Sequence, residues 1–150
     1  MNLRDMITAE RVATGVMAAD WETAVRAAGR LLVDTGGAEE RYIDGMVHTT
    51  QELGAYIVIA PGMAIPHSRP EDGVLQPCMA VVVLDTPVPF GHSENDPVKV
   101  LIAFGAVDSV QHVDALAQMA EILSDEKKFE RLMQAKTKEQ ILEILRAETN

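Results

Sequence analysis

Three short runs, residues 56–60, 79–84 and 98–104, are almost continuously apolar, rich in β-branched side chains and bounded by Pro, Gly or Asp. Runs of this kind read as strands. A strand with one wet face alternates apolar and polar residues, whereas an unbroken apolar run is covered on both faces. Something apolar must therefore lie on each side of the sheet, and the flanking sequence supplies it. Asp20 can cap a helix with apolar positions at Trp21, Ala24, Val25, Ala28, Leu31 and Leu32, a 3.6-residue stripe that Gly36-Gly37 ends. A second helix is expected to start near Ala38, with Glu39 and Glu40 in its first turn at the positive end of the dipole. It would bury Tyr42, Ile43, Met46 and Val47 and stop by Gly54.

After the strands, Val113, Leu116, Ala117, Ala120 and Leu123 form another helical stripe. Ser124 or Asp125 caps a short helix carrying Phe129, Leu132 and Met133, and Thr137 with Gln140 makes a capping box ahead of Ile141, Leu142, Ile144 and Leu145. Residues 64–66 and 88–90 read as further short strands. The order is helices, strands, helices, with neither linker nor repeat. The natural solution is one α/β domain over residues 1–150, a three-layer arrangement of a mixed sheet with helices on both faces.

A chain of 150 residues is long enough to bury a sizeable core, and 47% apolar content is that of a globular protein. No apolar run approaches the ~20 residues that span a bilayer, so no membrane insertion is expected. Residues 1–5 lack the layout of a signal peptide, and the expected location is cytoplasmic. Cys78 is the only cysteine, which rules out an intramolecular disulfide and a cysteine-based metal site. The formal net charge of −10 argues against a nucleic-acid partner, which would call for clustered Lys and Arg. It suits solubility first, and it is compatible with steering toward a basic protein.

The densest chemical signal is Pro61-Gly62-Met63-Ala64-Ile65-Pro66-His67-Ser68-Arg69-Pro70. Three prolines exclude a helix interior or a central strand throughout, and they brace His67 at a strand end or rim loop. Spacing alone leaves two readings open, a turn histidine without chemistry and a directed, reactive one. Neutral imidazole is a nucleophile near pH 7, and attack on phosphorus would form an energy-rich N–P bond. Such a site needs an exposed ring nitrogen, a partner that fixes the other nitrogen, and donors for the phosphate oxygens. A nearby backbone carbonyl could be that partner. His112, in Asp108-Ser109-Val110-Gln111-His112-Val113, stands where a strand gives way to a helix, and a helix N-terminus attracts phosphate. It reads either as a solvated helix-start residue or as a hydrogen-bond donor to the phosphate oxygens. His92 belongs to the loop Phe90-Gly91-His92-Ser93-Glu94-Asn95-Asp96-Pro97 and reads as an exposed loop residue, and His48 reads as structural. Ser68 has no nucleophile-elbow context, and no H-E-x-x-H or paired-cysteine pattern suggests zinc.

Gly62-Met63-Ala64-Ile65-Pro66-His67 resembles the phosphorylation-site motif of the enzyme IIA domains of the bacterial phosphoenolpyruvate-dependent sugar phosphotransferase system, in the mannitol/fructose (type-2) superfamily. Gly54-Ala55-Tyr56-Ile57-Val58-Ile59-Ala60 before it, Arg69-Pro70-Glu71-Asp72-Gly73-Val74 after it, Asp96-Pro97-Val98 and His112 extend the likeness over nearly the whole chain. The pattern is most similar to the ascorbate-type branch. The resemblance implies a mixed-sheet α/β domain in which His67 accepts a phosphoryl group from the carrier protein HPr. It implies transfer on to a cysteine of an enzyme IIB component, which serves a membrane enzyme IIC, without any bound cofactor. It makes His112 the second active-site histidine. One departure stands out, because mannitol-type members carry Arg-Glu where this chain has Gln51-Glu52. Gln51 donates hydrogen bonds without charge, and Arg69 is the nearest candidate for the missing cation. Relatives in nitrogen control use the same fold for regulation, and a binding module without phosphorylation is the further alternative.

Overall fold

A computed structural model describes residues 6–146, so the reading of residues 1–5 lies outside the described residues. Five strands form one mixed sheet: β1 (Val12–Val16), β2 (Val58–Ala60), β3 (Met63–Ala64), β4 (Cys78–Val88) and β5 (Val98–Gly105). Their order is β1-β4-β5-β3-β2. The β1–β4 and β3–β5 pairs are parallel, and the β4–β5 and β2–β3 pairs are antiparallel. The helices are α1 (Trp21–Asp34), α2 (Arg41–Leu53), α3 (Ser109–Ser124), α4 (Glu126–Gln134) and α5 (Lys138–Arg146).

Both sheet faces are dry, as the unbroken apolar runs require. Along β4, Met79, Val81 and Val83 pack into one core with Ala115, Met119, Leu132, Ile141 and Leu145 from α3, α4 and α5. Ala80, Val82 and Leu84 point the other way, onto Ala24, Val25, Leu32, Tyr42 and Met46 of α1 and α2. The expected three layers follow. Caps are where their chemistry puts them. The Asp20 carboxylate accepts from the Thr23 N–H at 2.8 Å and that of Asp125 from the Lys128 N–H at 3.1 Å. Thr137 and Gln140 exchange the two bonds of the capping box, each at 3.2 Å.

Several boundaries differ from expectation. Helix α2 starts at Arg41 rather than near Ala38, because Ala38 bridges Val74 and the Glu39 N–H donates to the Gly73 carbonyl at 2.7 Å. Tyr56 is not in a strand. It lies in the 3-10 turn Gly54–Ile57, with its side chain 84% exposed, and β2 begins at Val58. The short strand expected at 64–66 is Met63–Ala64, since Pro66 has no N–H for a ladder. Residues 88–90 are not a separate strand; Val88 ends β4, paired with Val98 after an irregular step. In α3 the buried residues are Ala115 and Met119, while Val113, Ala117 and Ala120 face solvent. β1 was not expected, because Val-Ala-Thr-Gly-Val is short, half-buried and interrupted by Gly15.

Gly62 sets up the next feature. It sits at φ 80°, and an added Cβ would come within 2.6 Å of the Met133 methyl. Only glycine turns the chain here without strain. Its carbonyl accepts from the Lys99 and Val100 N–H groups at 2.8 and 3.0 Å, which starts β3 in register beside β5.

Candidate functional site

β3 and β5 run parallel, and their carboxyl ends open onto the same edge of the sheet. In α/β proteins that edge is where ligands bind. β3 leads through Ile65-Pro66 to His67, and β5 leads through Ala106, Val107 and the cap Asp108 into α3, whose fourth residue is His112. The two imidazoles stand 5.2 Å apart between centroids, at an interplanar angle of 61°. Phe104, near the end of β5, stacks on His67 at 4.8 Å and 25° and tilts against His112 at 5.4 Å. The topology thus brings together two histidines 45 positions apart in sequence.

His67 Nδ1 lies 2.7 Å from the Ile65 carbonyl oxygen. A carbonyl can only accept, so Nδ1 carries the proton and the lone pair of the neutral ring is on Nε2. Burial holds the His67 pKa below its ordinary value; the Ile65 carbonyl opposes the shift and the neighbouring His112 adds to it. Burial lowers His112 as well. Both shifts favour the neutral form of the ring. His112 Nδ1 is buried and has no hydrogen-bond partner among the described residues. Buried polar atoms are nearly always paired, so an unpaired one calls for an explanation.

The helix N-terminus beside them is organised. Asp108 caps α3 by accepting from the Gln111 N–H at 2.8 Å, and Val107 N–H donates to Gln111 Oε1 at 3.2 Å. The first N–H groups of a helix have no intrahelical acceptor, which leaves those of Ser109 and Val110 at the positive end of the dipole. Val107, Val110 and Val113 are 41%, 78% and 65% exposed, an apolar patch flanking His112.

The other candidates fall less close together. Arg69 is an exposed side chain whose Nε lies 3.6 Å from Glu71 and 3.9 Å from Asp72, so its charge is turned toward two carboxylates. Gln51 is exposed in the last turn of α2, and no hydrogen bond ties it to His67. His92 is half-buried rather than free in its loop. Its Nδ1 accepts from the Glu94 and Asn95 N–H groups at 3.1 and 2.9 Å, while the Asp96 carboxylate takes those of residues 90–92. His48 pairs with Glu52 on the exposed side of α2.

Ser68, set aside on its sequence context, and Tyr42, expected only as core, have partners that the sequence did not reveal. Ser68 is 3% exposed, and its hydroxyl donates a very short bond to Asp72 and lies 3.2 Å from Thr49 Oγ1. Tyr42 is fully buried, and its hydroxyl accepts from the Ser68 N–H at 2.9 Å and donates to the Phe104 carbonyl at 2.8 Å. The available signal was a tyrosine in an apolar stripe, since a buried tyrosine hydroxyl needs a partner.

The family model of the phosphoenolpyruvate-dependent sugar phosphotransferase system, EIIA 2, matches residues 5–148. The ascorbate-specific PTS system EIIA component of Escherichia coli (strain K12) is 35% identical over 147 residues, 97% of this chain and 96% of that protein. The solution structure of the mannitol-specific cryptic phosphotransferase enzyme IIA of Escherichia coli aligns with TM-score 0.85 at 31% identity, covering 97% of this chain and 99% of that one. Enzyme IIA mannitol of Escherichia coli, solved in complex with phosphorylated enzyme IIB mannitol, aligns with TM-score 0.80 at 28% identity over 93% of this chain and 96% of that one.

Proposed function

The chain belongs to the EIIA type-2 family of the phosphoenolpyruvate-dependent sugar phosphotransferase system, and on that premise we propose that it carries phosphoryl groups on His67 Nε2 for ascorbate-type uptake. The observation that carries this reading is the 2.7 Å bond between His67 Nδ1 and the Ile65 carbonyl, which reserves the lone pair for Nε2. The donor is the phosphohistidine of HPr. As the Nε2–P bond forms, the donor's N–P bond breaks and its electron pair returns to the donor imidazole. The His67 ring becomes cationic, with its Nδ1 proton still held by Ile65. In the second step a cysteine thiolate of enzyme IIB attacks phosphorus, the N–P electron pair returns to Nε2, and the ring is neutral again.

A cationic ring leaves more readily than a neutral phosphoimidazole, so the Ile65 carbonyl serves both steps by keeping that proton in place. The phosphoryl oxygens offer His112 the partner that its ring lacks among the described residues, and the α3 N-terminus adds dipole and N–H groups. The final acceptor belongs to another chain. Cys78 is buried, and burial pushes its thiol up to about 11, too high to supply a thiolate at pH 7. The likeness to an enzyme IIA solved with its phosphorylated IIB partner supports transfer between proteins, and the Val107, Val110 and Val113 patch offers an apolar docking surface.

The test is incubation with phosphoenolpyruvate, enzyme I and HPr. Wild type should gain one acid-labile phosphoryl group, with ³¹P–¹⁵N coupling to Nε2 of His67, and His67→Ala should gain none. Phosphate on Nδ1, or on the His67→Ala protein, would overturn the assignment. Transfer to an ascorbate-type IIB in preference to a mannitol-type one would support the sugar class.

A further inference from the structure

We infer that the Tyr42 hydroxyl is a positioning group of the phosphoryl site, a one-atom bridge that sets the gap between the strand ends carrying His67 and His112. The inference rests on the phosphoryl-carrier reading and adds to it a residue in the opposite layer of the fold. The β3–β5 ladder is short, pairing Met63 with Val100 and Ala64 with Leu101. It then fails for a covalent reason, because the Ile65 N–H turns away to the Ile57 carbonyl and Pro66 has none. Extended, the register would place Ser68 beside the 104–105 peptide, where no direct backbone hydrogen bond forms among the described residues. The Tyr42 oxygen fills that gap. It accepts from the Ser68 N–H at 2.9 Å and donates to the Phe104 carbonyl at 2.8 Å, with the Ser68 carbonyl a longer alternative at 3.3 Å.

Each end of the bridge is one step from the chemistry. Ser68 follows His67 in the chain, and the Phe104 ring stacks on His67 and touches His112. Helix α2 holds the clamp at three positions of one face, i, i+3 and i+7. At Tyr42 the hydroxyl binds. At Gly45 the backbone comes so near that an added Cβ would lie 3.0 Å from Ser68 Oγ, and Thr49 Oγ1 is 3.2 Å from the same oxygen. The hydroxyl is fully buried, away from bulk solvent. Moving a reacting group by about 1 Å can cost two orders of magnitude in rate, which makes this spacing consequential.

The experiment compares Tyr42→Phe with Leu32→Val, a destabilising change elsewhere in the same apolar layer, at a temperature where both remain folded. Tyr42→Phe should lower kcat for phosphoryl acceptance from phospho-HPr about ten- to a hundredfold with KM unchanged, and Leu32→Val should change neither. The His67 ring resonances should also shift in Tyr42→Phe and stay put in Leu32→Val. Equal kinetics in the two variants, or a change in melting temperature alone, would overturn the inference. If wild type is not phosphorylated at all, the carrier reading fails, and the ring resonances alone still decide whether Tyr42 positions His67. Should Tyr42→Phe not fold, difluorotyrosine in a Tyr56→Phe background keeps the ring and hydroxyl but makes that oxygen a weaker acceptor. Slower acceptance then supports the bridge, and an unaltered rate refutes it.

Discussion

Replacing His112 with phenylalanine should make the protein more stable and a poorer phosphoryl carrier. The physical basis is the buried, unpartnered Nδ1 of that ring. A buried polar atom without a hydrogen bond costs about 1–3 kcal/mol, and the lower end applies because the rest of the ring is half-exposed. His112→Phe removes the orphaned atom, keeps a ring against Phe104, and has solvent on one side to absorb its extra volume. A gain near 1 kcal/mol corresponds to roughly 2–4 °C in melting temperature for a chain of this size. On the proposed carrier reading, the phosphoprotein would lose a hydrogen bond between His112 and the phosphoryl oxygens. A hydrogen bond to a charged group is worth about 1.5–3 kcal/mol, so transfer to the IIB cysteine should slow about ten- to a hundredfold. Calorimetry and single-turnover transfer, measured on the same preparations, check both halves. A lower melting temperature would mean that Nδ1 is paired in solution. An unchanged transfer rate would mean that His112 only fills space.

The histidines also fix a pH dependence. His67 and His112 both have folded pKa values below the ordinary 6.5, so at mildly acid pH the unfolded chain binds more protons than the folded one. Their stabilising contribution is present above pH 6.5 and is lost as pH falls through the folded values; melting curves from pH 8 to 5 should show this, and a His67→Phe/His112→Phe double variant should flatten it. Phosphoryl acceptance should be level above pH 6.5 and fall on the acid side only, since Nε2 needs its lone pair. Arg69→Gln should slow acceptance a few-fold at most, because the guanidinium is exposed and already faces Glu71 and Asp72; Gln51→Ala should do less, and a larger effect at Gln51 would reverse that ranking. Val110→Asp should raise KM for phospho-HPr while leaving the melting temperature within about 1 °C, consistent with a surface position that is 78% exposed.

The comparison of expectation with structure separates what local chemistry encodes from what tertiary distance hides. The caps at Asp20, Asp125 and Thr137 with Gln140 were legible because each is decided by atoms three residues apart. The dry faces of the sheet were legible because an apolar run admits few other readings. The α3 stripe was misjudged in part, because Val113, Ala117 and Ala120 face solvent while Ala115 and Met119 are buried. Val110 and Val113 are apolar yet exposed beside His112, and sequence periodicity treats every apolar residue as core. The motif around His67 singled out that residue, and the backbone carbonyl beside its ring is that of Ile65, two residues away. What braces the far side was out of reach. Tyr42 meets Ser68 across 26 positions and Phe104 across 62, and it read as core because its ring is core. Only its last atom does something else. A hydroxyl at the end of a buried ring leaves no periodic trace, and Ser68 beside His67 invites a catalytic reading when its hydroxyl is already committed to Asp72 and Thr49. The candidate reactive groups stand out in short, unusual sequence. The groups that hold them at a set distance are drawn from ordinary core positions, and they become visible only when the strand ends are seen together.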